Sequence, residues 1–425
     1  MKSNYWTDVS KELKIVLAVI ALFAGNPSLP VAMAQAPALP KSLTKVQWRQ
    51  DLQYFARELP MRHKNAFHLA SREQFEHAVA QLDADIPLLQ DYQIMVRMLR
   101  ITAMIGDAHT YVHLPQTLKI YPLGCYWFGP DLRVTRAAPE HKRALGSRVL
   151  KIGDTSIQEV NSRVRSLLSQ DENEWFYLSN SAGLIARPAV LHTLGIVPDA
   201  EHALFTFEDE EQKQFTLDLS AVAPDPTLNS LWLSAAASEP LFRQRQNEPF
   251  WFTYLADSQT VYVNFKSYDS LGENTRKLFQ LVDQNSTKRL VIDMRQNAGG
   301  DFTKVRTSLI PAIKQRRGIN ERGHLFVVTG RRTFSAAMTN AIDFRKETQA
   351  ILVGEPPGER PNSYQENDEM KLPNSGLVVS YSTRFYKFLD EEAPAVMPDK
   401  RIDPNWEDYR AGRDPVMDWI LSTHK

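Results

Sequence analysis

Leu290-Val291-Ile292-Asp293-Met294-Arg295-Gln296-Asn297-Ala298-Gly299-Gly300 is the stretch on which the fold turns. Its first residues form a short continuous apolar run, which suits a strand buried on both faces. Three runs of the same kind flank it: Val261-Tyr262-Val263-Asn264-Phe265, Leu325-Phe326-Val327-Val328 and Ala350-Ile351-Leu352-Val353. Strands and helix-patterned segments alternate from Phe250 onward, which predicts an α/β domain with a largely parallel sheet over 245–425. Ligands in such sheets bind outside the carboxyl ends of the strands, where Asp293 to Gly300 falls. Paired glycines there let backbone N–H groups approach a substrate, as an oxyanion hole requires, although a plain turn also uses two glycines.

Upstream the pattern changes twice. From Leu43 to about Ile105 apolar residues recur at helical spacing (Val46, Leu52, Phe55; Phe75, Val79, Leu82; Ile94, Leu99), punctuated by Pro60 and Asp85-Ile86-Pro87. This predicts a helical domain over 41–115, with His63 and His68 structural. Over 120–222 short strands dominate: Leu132-Arg133-Val134, Arg148 to Ile152, Ala203 to Phe207 and Gln214 to Leu219. The strand, the Gly153-Asp154 turn and the short helix pattern after it resemble a PDZ-like module, which captures extended peptides at a sheet edge. A generic β-rich insert is the other reading. The fold class expected is therefore α/β and multidomain, with a helical N-terminal domain and a β-rich middle.

Across 425 residues the 50 Lys and Arg balance the 50 Asp and Glu, so no global field recruits nucleic acid. Lys11 and Lys14 precede the apolar run Ile15 to Ala24, then Gly25-Asn26-Pro27 and Ala32-Met33-Ala34. That is the pattern of a secretory signal over 1–34, implying a periplasmic or secreted protein with no stable membrane span after cleavage. An uncleaved anchor or a buried first helix is the alternative. The single cysteine, Cys125, excludes an intramolecular disulfide and reads as a buried, inert thiol.

Two further segments carry candidate chemistry. In Thr329 to Met338 a strand passes into a helix, placing Ser335 at a helix N-terminus, with the Ala336 N–H where an oxyanion could be held. Ser335 could equally be an N-cap, as could Thr333. In Ile105 to His113, His109 sits in a polar turn before a strand and is a candidate general base. Zinc binding by His109 and His113 would lack the glutamate of the H-E-x-x-H pattern. No metal and no cofactor is expected.

Gly-Asp-Ala-His-Thr at 106–110, Asp-Met-Arg-Gln-Asn-Ala-Gly-Gly at 293–300, Thr-Phe-Ser-Ala-Ala at 333–337 and Gly-Glu-Pro-Pro-Gly at 354–358 resemble, in order, the motifs of the tail-specific (C-terminal processing) peptidases, in the tricorn-like branch. The resemblance implies a serine peptidase with Ser335 as nucleophile and His109 as base, and an oxyanion hole from the N–H groups of Gly300 (or Gly299) and Ala336. It also implies a carboxylate before Pro398-Asp399, for which Glu392 fits the spacing best. The substrates implied are peptides or unfolded proteins.

Two positions depart from the pattern. The lysine that the bacterial members use as base is missing from Gly354 to Asn362, which holds Glu359 and Arg360 instead. Arginine does not deprotonate, so His109 has to be the base, and Lys346 and Lys371 fall outside the segment. Ala108 stands where tricorn-like sites carry a serine. That leaves open a catalytically silent peptide-binding protein. An esterase-type acyl hydrolase is the other rival, and the chain lacks the G-x-S-x-G elbow of the α/β-hydrolases.

Overall fold

Alternation along the C-terminal strands divides their side chains between two cores. In Arg289–Asp293, Leu290 and Ile292 enter one core with Val261, Leu325 and Val327, while Val291 enters the other with Tyr262, Phe326 and Val328. All of these are buried, and each contributes about 1.5–3 kcal/mol by leaving water. The helix Leu271–Gln284 closes one face through Leu278, Phe279 and Val282, and Pro415–Ser422 closes the other through Val416, Met417 and Ile420. The sheet so covered has six strands in the order Lys400–Arg401, Ile351–Gly354, Leu325–Thr329, Arg289–Asp293, Thr260–Phe265 and Phe250–Leu255. All neighbours are parallel except the last pair. The computed structural model describes residues 43–423 apart from 226, 228 and 229, so the expected signal over 1–34 lies outside the described residues.

The helical stretch consists of Lys45–Arg62, Arg72–Asp85 and Asp91–Ala103. Thr44 with Gln47 and Ser71 with Gln74 form capping boxes that fix where the first two helices begin. Pro60, expected to interrupt, lies in the last turn of the first helix. The His63 N–H still closes on Leu59 O at 3.0 Å, because a proline so near the end costs few bonds.

The middle holds an antiparallel sheet ordered Leu123–Phe128, Asp131–Ala137, Arg148–Ile152, His202–Glu208 and Gln214–Ser220. Between its strands lie the helices Ile157–Arg165, Glu174–Ile185 and Pro188–Thr193, more helix than the strand-dominated pattern predicts. One of them is started and tethered by Asn173. Its Oδ1 accepts the Phe176 N–H at 2.9 Å, and its Nδ2 donates to Pro357 O at 3.1 Å and Pro394 O at 3.0 Å. The helical and β-rich regions share one core, in which Trp48, Phe55 and Leu99 join Val134, Val149 and Phe207.

A long hairpin, Asn362–Lys371 with Val378–Lys387, was not anticipated. It receives the short strand Tyr111–Val112 on its free edge, Tyr111 opposite Ser380 and Val112 opposite Val379. That pairing brings the His109 turn, more than 200 positions from Ser335 in sequence, over the C-terminal sheet.

Candidate active site

Three adjacent parallel strands deliver three parts of one site from their carboxyl ends. After Arg289–Asp293 comes the Gly299-Gly300 turn, after Leu325–Thr329 comes Ser335, and after Ile351–Gly354 comes Glu359. The first two loops are bonded to each other: Thr333 Oγ1 donates to Met294 O at 2.9 Å and Phe334 N–H to Asn297 O at 3.1 Å. Gly299 is where this close approach demands glycine. Its φ is +111°, and a Cβ there would lie 2.7 Å from Ser335 Cβ.

Ser335 begins the helix Ala336–Glu347 at φ 53°, ψ −124°, a strained conformation for a residue with a side chain. Ser335 occupies the N-cap position, but its hydroxyl makes no capping bond. Instead Oγ lies 3.1 Å from His109 Nε2. The imidazole is buried, stacked on Phe334 at 4.8 Å between ring centres. Burial pulls its pKa down to about 4, with Asp107 opposing. The two rings once readable as a zinc pair face different partners, since His113 Nε2 meets Ser380 Oγ at 2.8 Å.

On the far side of the ring, His109 Nδ1 lies 3.5 Å from Glu359 Oε1, and both atoms are buried without a hydrogen bond among the described residues. The other oxygen of Glu359 accepts the Ser335 N–H in a short bond. Burial pushes the Glu359 carboxyl well above its ordinary range, Glu172 adds to this, and the Ser335 N–H opposes it. Glu172 itself is pushed up to about 8, chiefly by burial, although its oxygens accept the N–H groups of Arg360 at 3.1 Å and Ala108 at 3.3 Å.

The carboxylate expected at Glu392 is not the one that faces the histidine. Its side chain is 71% exposed and lies 3.9 Å from Arg360 Nη2, because the turn before Pro398-Asp399 directs it to solvent. Glu359 lies in the segment where the family's pattern places a lysine, so that pattern does not single it out. An acidic residue 24 positions after the nucleophile was the available signal. Glu172 and the support behind His109 carried no recognisable motif. That support is Asp107, whose Oδ1 accepts the His109 N–H at 3.2 Å and whose Oδ2 meets His63 Nε2 at 2.9 Å.

The three candidate oxyanion donors differ. The Gly299 N–H is spent on Asn297 Oδ1 at 2.9 Å, whereas the N–H groups of Gly300 and Ala336 have no partner among the described residues. Lys346 donates to Phe388 O at 2.8 Å and takes no part in the Ser335–His109 contact. Burial pushes the Cys125 thiol up to about 12, in keeping with an inert role. Among the described residues no group of side chains is disposed to hold a metal ion.

Residues 259–407 match the model of peptidase family S41. No curated protein matches the chain in sequence. Among solved structures, mature CPAF complexed with lactacystin is similar in fold, with a TM-score of 0.59 at 10% identity over 88% of this chain and 97% of that one. Mature CPAF alone gives the same score and identity, over 88% and 96%. The photosystem II D1 C-terminal processing protease fits less closely, at a TM-score of 0.40 and 14% identity over 87% and 98%. The family match covers the strands that deliver Ser335 and Glu359, so the segment 259–407 is that of a serine-type peptidase of family S41.

Proposed function

We propose that the protein is an exported endopeptidase or tail-trimming peptidase that cleaves unfolded tails or short peptides through an acyl-enzyme on Ser335. The observation that carries this reading is the 3.1 Å contact between Ser335 Oγ and His109 Nε2. Ser335 Oγ attacks the scissile carbonyl carbon while its proton passes to His109 Nε2. The oxygen of the tetrahedral intermediate is held by the N–H groups of Gly300 and Ala336, which are otherwise free. Glu359, ionised, stabilises the imidazolium through Nδ1. His109 returns the proton to the leaving amine, and water resolves the ester by the same route in reverse.

The exported setting rests on the Ile15 to Ala24 run and Ala32-Met33-Ala34. The β-rich middle is the natural holder of an extended substrate, in the manner of a PDZ-like module. Labelling with a fluorophosphonate tests the core of the reading, because only an activated serine reacts. Labelling of the wild type and none of Ser335→Ala is expected; an unlabelled wild type points instead to the silent peptide binder.

A further inference from the structure

A cavity opens beside the nucleophile between the helical region, the middle helices and the loop that bears Ser335. Its walls are mostly apolar, with Leu99, Ala103, Leu168, Phe176 and Phe334 among them. Two arginines line it, Arg331 and Arg332, the second of them three residues before Ser335.

Arg332 is unlike its neighbour. Arg331 is neutralised by Glu355, with Nη2 to Oε1 at 2.6 Å, and is tied to Trp127 O at 2.9 Å. Arg332 has no hydrogen bond and no ion pair among the described residues, and the only ionisable group acting on it is the Tyr126 phenol. Burial holds its pKa below the ordinary value, a sign that the charge is desolvated without compensation. The third charged side chain on the cavity wall, Asp107, is already engaged by His63, Ser382 and the His109 N–H. A half-buried guanidinium without a counter-ion among the described residues is partly desolvated in the free protein and is stabilised when an anion enters. A hydroxyl faces the same space, Ser169 Oγ, buried and unpaired.

We infer that Arg332 receives a carboxylate of the bound peptide, so that the enzyme selects, next to the scissile bond, either an acidic side chain or the free end of the chain. The apolar walls take the methylene stem or a neighbouring side chain, and the guanidinium fork takes the two oxygens. The inference rests on the peptidase reading above and deepens it from chemistry to selectivity.

The test uses fluorogenic peptides that differ in one group. A neutral, amidated peptide is compared with one carrying Glu beside the scissile bond, and with one that ends in a free carboxylate two or three residues beyond it. For the wild type, kcat/KM for one of the charged peptides should exceed the neutral one by about tenfold or more. Which of the two does so tells an acidic side chain from a chain end. In Arg332→Gln the ratio should fall to about one, and in Arg332→Lys part of it should survive, since the charge remains but the fork is lost. The ratio is read within one preparation, so it does not depend on how much of a variant folds. No preference in a wild type that hydrolyses the neutral peptide overturns the inference, as does a preference that persists in Arg332→Gln. A wild type that fluorophosphonate fails to label overturns the peptidase reading itself, and the inference with it.

Discussion

Glu359 Oε1 and His109 Nδ1 face each other at 3.5 Å in a buried site, and neither has another hydrogen-bond partner among the described residues. The distance is slightly too long for a strong bond at rest. Transfer of the Ser335 proton would make the ring cationic and draw the two together, so the interaction strengthens as charge develops. Glu359→Gln should therefore lower kcat by about 10²–10⁴-fold with little change in KM. Glu392→Gln, on a side chain 71% exposed, should change neither by more than about twofold. The opposite ranking would return the third catalytic role to Glu392.

The same pair sets the pH dependence. In the proposed mechanism the active state has a neutral ring with its proton on Nδ1 and an ionised Glu359, so the pair must have lost one proton. Burial pulls His109 down to about 4 and pushes Glu359 well above its ordinary 4.5, so the proton to be lost resides on Glu359. Activity of the wild type should rise with pH, with a midpoint above 4.5. In Glu359→Gln only the ring titrates, and the weaker residual activity should persist down to about pH 4. Rates of fluorophosphonate inactivation across pH read both limbs; a variant whose midpoint moves upward would contradict the assignment.

How much could be read beforehand follows from what each residue does locally. The four central strands were legible because burial on both faces leaves an uninterrupted apolar run, as at Leu290 to Ile292. Ser335, His109 and the glycine turn were legible because each sits in a short contiguous segment whose chemistry needs those residue types. Glu359 was not, because its role exists only once Ile351–Gly354 lies beside Leu325–Thr329 and the loops after them meet. The hairpin Asn362–Lys371 with Val378–Lys387 was hidden for a similar reason: one strand reads Asn-Ser-Tyr-Gln-Glu-Asn-Asp-Glu-Met-Lys, mostly polar, and is held by its partner strand, which in turn pairs with Tyr111–Val112.

The glycine turn gives a sharper test than its motif. A Cβ at position 299 would press on Ser335 Cβ at 2.7 Å and on Phe334 O at 3.1 Å, at a φ that side chains resist. Gly299→Ala should cost about 1–3 kcal/mol of stability and displace the nucleophile enough to lower kcat by about 10²-fold. Gly272→Ala, inside the helix Leu271–Gln284 with nothing within 4 Å, should leave activity intact and be neutral or slightly stabilising. Thermal unfolding with hydrolysis rates separates the two; equal behaviour would mean that the turn tolerates a side chain and does not seat Ser335.

Asp107 holds the His109 turn in place, and its effect should be separable by pH. The Asn65 N–H donates to His63 Nδ1 at 2.9 Å, which leaves the His63 proton on Nε2, donated to Asp107 Oδ2. Ser382 donates to Asp107 Oδ1, and the His109 N–H adds a further bond at 3.2 Å. Burial pushes the Asp107 carboxyl up, but His63, Ser382 and Thr110 outweigh it and hold it below the ordinary 3.8. A carboxyl depressed in the folded state adds stability that is fully present above the unfolded value of 3.8 and lost as pH falls through the lower folded one. Asp107→Asn turns an NH₂ toward a donor and should cost about 1.5–3 kcal/mol at pH 7. It should also lower kcat, since the His109 backbone loses its anchor. Urea unfolding of both proteins at pH 7 and pH 3 is the measurement: the gap between them should narrow in acid as the wild-type carboxylate takes up its proton. A gap that stays constant would mean that Asp107 contributes through packing alone and that its charge does not help to hold the His109 turn.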